Sequence, residues 1–78
     1  MTARWVVYEY PKDNTRTEGE EVSWHKTGEK AIEVADARHA KTGLGYRVDL
    51  LFGTGGANPA RWECLESEPD IYGIEPKP

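Results

Sequence analysis

Cysteine is almost missing from this chain: Cys64 is the only one in 78 residues, so no intrachain disulfide can close. Secreted domains of this length generally depend on such crosslinks, so a reducing, cytoplasmic setting is expected. Long apolar runs are missing as well. None is long enough to span a bilayer, and the opening MTARWVVYEYPKD reaches charge too early for a secretory signal, so no membrane partner is expected. There is no internal repeat. At this length a domain buries roughly 60% of the surface its unfolded chain exposes, which leaves room for one modest core. Three Trp, four Tyr and one Phe supply large side chains for it, although only 37% of residues are hydrophobic.

Positive charge is the next deficit, and it is local. Residues 1–47 carry eight basic and eight acidic side chains, whereas residues 48–78 carry two basic and six acidic, which places the whole net charge of −4 in the second part. Between Trp62 and Pro76 stand Glu63, Glu66, Glu68, Asp70 and Glu75 without a single Lys or Arg. Such a stretch either stays solvated or meets a basic partner.

What is present reads as strands around one helix. RWVVYEY, residues 4–10, concentrates β-branched and aromatic residues and stops at Pro11. A polar, turn-rich stretch follows, and EEVSWHK then alternates Val22 and Trp24 with Ser23 and His25, which predicts a hairpin with a long loop. From Thr27 the period becomes helical, with Ala31, Ile32, Ala35, His39 and Thr42 on one side and Glu29, Glu33 and Asp36 opposite. Thr27 is placed to cap this helix and Gly43 to end it. The small inward residues would let it lie close to a sheet bearing tryptophans. YRVDLLF, residues 46–52, alternates clearly as a strand, and RWECLE offers a shorter, weaker fourth strand with Trp62 and Cys64 on one face. The fold class expected is α+β: an antiparallel sheet of three to four strands with one helix on a face, in the order β-β-α-β-β. Residues 1–66 form the domain and residues 67–78 an acidic, proline-containing tail, with Ile71, Tyr72 and Ile74 available to anchor it.

LLFGTGGANPARW, residues 50–62, places glycines where a phosphate-cradling loop would sit, but the surrounding pattern denies that role. The third glycine of a dinucleotide fingerprint is replaced by Asn58, Pro59 follows, and the chain runs on to a strand instead of a helix. A flexible hairpin tip is the expectation, with Thr54 and Asn58 exposed on it. His25, His39 and Cys64 are the only groups that titrate near neutrality unaided, and their spacing forms no recognisable zinc motif. No catalytic residue, cofactor or metal site is expected, and His39 and Cys64 read as packing residues.

EVSWHKTGEKAIEVADARHAKTG resembles the strand-to-helix passage of the arm-type DNA-binding domains of phage integrases. Residues 20–52 are also similar to small ββαβ proteins of actinobacteria and their phages. Integrase domains of that kind are basic, and this chain is not. The functional expectation is therefore a small protein-binding module, in the manner of a phage or mobile-element adaptor or inhibitor, that meets a basic partner surface. Its contact residues would be Glu63, Glu66, Glu68, Asp70, Thr54 and Asn58. The alternative is a DNA-binding or regulatory module using Arg4, Lys12, Arg16, Lys26, Lys30 and Arg47, with nucleic acid as the partner.

Overall fold

The computed structural model describes residues 2–11, 19–55 and 61–78. Strands β1 (Thr2–Tyr10) and β2 (Glu20–His25) precede helix α1 (Gly28–Thr42), and β3 (Gly45–Thr54) and β4 (Glu63–Ile74) follow it. They form one α+β unit in which a four-stranded sheet of order β2-β1-β3-β4 carries the helix, and every neighbouring pair is antiparallel. The central pair is the most regular. β1 and β3 match residue for residue from Thr2↔Gly53 to Tyr10↔Gly45 without a bulge, so their alternating side chains stay in phase along the whole ladder.

That phase puts Val7 opposite Val48, and both are fully buried beneath Ala31 and Ala35 of the helix. Alanine at the two inward helix positions brings the helix backbone close to the sheet, which is how valines suffice to fill the layer between them. The ends of α1 follow the sequence. Thr27 Oγ1 accepts from the Lys30 amide at 3.3 Å, and Gly43 adopts the left-handed conformation at φ 73°, its amide donating to His39 O at 2.8 Å. Gly28 sits on the Trp5 ring, so the helix begins over Trp5 and ends beside Tyr46.

Two tyrosines tie the helix down by their hydroxyls. The Tyr46 hydroxyl donates to Glu9 Oε2 at 2.7 Å and lies 2.8 Å from Thr42 Oγ1, while the Tyr72 hydroxyl donates to Asp36 Oδ1 at 2.6 Å. Asp36, predicted on the outer face, is exposed but turned toward β4 by this bond. Thr42, predicted inward, is exposed and reaches the core only through its hydroxyl.

The sheet has two differently furnished faces. Ala3, Trp5, Val7 and Glu9 of β1 share the helix side with Phe52, Leu50, Val48 and Tyr46 of β3. On the other side, the buried Arg4 lies between the rings of Trp24 and Trp62, at 4.2 and 4.4 Å from their centroids. Only Trp5 of the three tryptophans therefore lies under the helix. Trp24 is carried to the far face because it pairs with Val6, and a bulge between Val7 and Tyr8 admits Val22 to the core side.

β4 corrects two expectations. It is the longest strand, twelve residues, and the segment predicted as a tail from residue 67 continues the ladder to Ile74. Tyr72 and Ile74 pack against the core through this pairing, whereas Ile71 is exposed. Residues 75–78 lie beyond the strand, and the Lys77 amide donates to Gly43 O at 2.8 Å. The alternation was hidden by register shifts opposite Val48/Leu50 and Phe52/Gly53 and by Asp70, whose φ of 60° resets the face. Pro69 is tolerated because β4 is an edge strand, where a missing amide hydrogen need not break a ladder. Trp62 precedes the strand, and Cys64 on it is exposed.

Candidate protein-binding surface

Antiparallel β3 and β4 place the glycines of FGTG at the end of their ladder; residues 56–60, on which the expectation of a flexible tip falls, lie outside the described residues. The glycine requirement is steric. A Cβ on Gly53 would overlap the Glu63 carbonyl and lie 2.6 Å from the Trp62 ring, and Gly55 has φ 119° with the Arg61 carbonyl against it. Close backbone approach explains both residues, so the pattern needs no phosphate.

β4 leaves this hairpin as an outer strand whose residues from Glu63 to Ile71 are all exposed, including Leu65 at 58% and Ile71 at 42%. The sequence-predicted contact residues divide into two groups along it. Glu63 pairs with Thr54, Glu66 with Phe52 and Glu68 with Leu50, so three carboxylates and Thr54 share the helix side of the sheet. Asp70 does not join them. Its amide donates to Asp49 Oδ1 at 2.9 Å, and its own Oδ1 lies 2.6 Å from Arg47 Nε, which neutralises the carboxylate locally. Asn58 lies outside the described residues.

Periodicity alone did not reveal what lies beside the glutamates. Leu50 and Phe52 are half-buried and are not among the side chains packed in the cluster under α1; Leu50 lies level with Trp5, where the helix begins, and the row Ala3–Phe52–Glu66 lies one step past it. Ile32, half-buried, is one turn before Asp36 on the same flank of α1, and the Asp36–Tyr72 bond shows that this flank faces β4. The arrangement is an apolar floor with carboxylates along one margin. The signal available in the sequence was the coincidence of LLF with an acid-only strand, legible once the register between them is known.

Among the described residues, three of the basic side chains expected for a nucleic-acid contact are already engaged within the fold, and Lys26 is exposed just past the end of β2. Arg4 is buried between indoles, Arg47 lies over the Tyr10 ring at 5.1 Å and pairs with Asp70, and Lys30 pairs with Glu33 at 3.7 Å. Lys12 and Arg16 lie outside the described residues. Tyr10 and Arg47 also line a depression of about 280 Å³ with Gly45, Gly73, Glu75 and Pro76, where the one cation already faces Asp70 and another carboxylate stands on the rim. Beside Arg47 on the same face, burial pushes the Tyr8 phenol above its ordinary value, and the Asp49 and Glu21 carboxylates push it the same way.

The remaining titratable groups are separated. His39 donates from Nδ1 to Leu44 O at 2.9 Å, and His25 Nε2 lies 3.1 Å from Ser23 Oγ. The Cys64 thiol donates to Glu66 O at 3.4 Å. His25 and Cys64 are on opposite edge strands, separated by at least about 14 Å at ordinary strand spacing, so they make no Cys–His pair. Among the described residues no cluster of His, Cys, Asp and Glu could hold a metal ion, and no helix is long and apolar enough to cross a membrane. Comparisons with protein-family models, with curated proteins and with solved structures return no match to this chain.

Proposed function

We propose that the protein is a small binding module that engages a basic protein surface through β4. The observation that carries this reading is the run of nine exposed strand residues from Glu63 to Ile71, with four carboxylates, two exposed apolar side chains and no Lys or Arg. In a domain this small, a nine-residue stretch held by one ladder and exposed along its whole length contributes little to the core, which β4 joins only through Tyr72 and Ile74 beyond it. It does present both an electrostatic field and apolar contact area. Asp70, spent on Arg47, shapes the strand, while Glu63, Glu66 and Glu68 supply the free charge. An adaptor or an inhibitor that covers a basic groove on its target would use such a surface.

The test is affinity capture on the immobilised chain, with elution by salt and identification of what is retained. Proteins bearing basic surfaces should be retained at low ionic strength, and the Glu63→Gln, Glu66→Gln, Glu68→Gln variant should not retain them. Equal retention by the variant would move the contact away from β4, and retention of nucleic acid in place of protein would favour the alternative module.

A further inference from the structure

Resting on that reading, we propose that the sheet face at and beyond the start of α1 receives a basic segment of the partner carrying one apolar anchor, a Leu or Phe flanked by Lys or Arg. Leu50 and Phe52 form the floor, half-buried and unclaimed by the core cluster. Glu68 and Glu66 stand directly across from them on β4, with Cβ separations of roughly 5 Å expected for such pairs. Ile32 borders the opposite side, on the helix flank that Asp36 turns toward Tyr72. Among the described residues none of Glu63, Glu66 and Glu68 is paired with a cation.

Charge and apolarity together select the occupant. A second copy of the chain would set one glutamate row against another, and a nucleic acid would bring phosphates into the same negative field. A purely polar basic segment would satisfy the glutamates but leave Leu50 and Phe52 against water. An anchor between two cations satisfies both, because its side chain removes the floor from water while the flanking ammonium or guanidinium groups reach the rim.

The experiment titrates the 15N-labelled chain with two synthetic peptides of equal length and equal lysine content, one with a central Leu and the other with Ser in its place. The Leu peptide should shift the amides of Leu50, Phe52, Glu66 and Glu68 saturably and bind at least about tenfold more tightly, the smallest gain expected from burying one such side chain. The Glu66→Gln, Glu68→Gln variant should keep its melting curve and weaken both peptides. Equal affinity for the two peptides would overturn the anchor site while leaving acid-driven binding by β4 intact. Shifts confined to the Arg4–Trp24 face, or no saturable binding, would overturn the site outright. The broader reading fails separately, by salt-insensitive capture or by capture of no basic protein.

Discussion

Gly53→Ala is the sharpest perturbation of the hairpin that carries the acidic strand. The added methyl would overlap the Glu63 carbonyl and stand 2.6 Å from the Trp62 indole, a ring that also bears on Arg4. Overpacking of this kind typically costs about 1–3 kcal/mol, and an obstacle in the backbone, which cannot rotate away, puts the cost at about 2–3 kcal/mol. For a domain of this size each kcal/mol moves the melting point by roughly 4–8 °C, so a fall of roughly 8–24 °C is expected. Gly73→Ala is the internal control. It lies on the same strand pair, opposite Arg47, but no atom lies within 4 Å of the new methyl. There the reduced freedom of the unfolded chain should stabilise by about 0.4–1 kcal/mol. Thermal melts followed by circular dichroism, with urea unfolding alongside, measure both. If Gly53→Ala melts within about 2 °C of the parent, Trp62 is not seated on β3 and the packing of the hairpin is wrong.

Trp24→Ala should destabilise by about 3 kcal/mol, the lower end for aromatic truncations because the ring is only half-buried against Arg4, as read from urea unfolding. Tyr46→Phe should cost about 1.5–3 kcal/mol in the same assay, since it removes a buried hydroxyl's bond to the Glu9 carboxylate, and Tyr72→Phe should cost less because its bond to Asp36 is exposed. Asp70→Asn should lower stability by no more than about 1 kcal/mol, the scale of an exposed ion pair, and salt should erase the difference. Alkaline stability follows from the phenols. Tyr46 is raised above 10.0 by burial and by its bond to Glu9, Tyr72 by its bond to Asp36 and by burial, and Tyr8 by burial with Asp49 and Glu21. The folded state holds these protons more tightly than the unfolded state, so their stabilisation is complete below pH 10 and is lost as pH rises through the folded values. Melting points should be insensitive to the tyrosines at neutrality and fall above pH 10, and a fall tied to Tyr46 or Tyr72 below pH 9 would contradict those bonds.

The helix and β3 were legible because each follows one uninterrupted period. Thr27, Ala31, Ala35 and Gly43 satisfy cap and stripe together, and Val48, Leu50 and Phe52 alternate without a break. β4 was not legible, for three physical reasons. Two register shifts displace its faces relative to β3, Asp70 takes a left-handed conformation, and the stretch from Glu63 to Ile71, exposed on both sides, has no apolar alternation to display. The same features blunt an open edge against unintended pairing. The acidity of the proposed contact residues could be read directly. That Asp70 would turn to Arg47 while Glu66 and Glu68 line up beside Phe52 and Leu50 could not, because it depends on cross-strand register.

The association rate with a captured basic partner, measured against ionic strength for the parent and the Glu63→Gln, Glu66→Gln, Glu68→Gln variant, tests the role of β4 most directly. Asp70 is retained so that its pair with Arg47 still holds the strand, and the three changes lie at exposed positions where each should move stability by less than about 0.5 kcal/mol. The parent's rate should fall steeply as salt rises, and the variant should associate slowly with little salt dependence at an unchanged melting point. Identical rates and identical salt slopes for the two proteins would contradict recognition through the acidic strand.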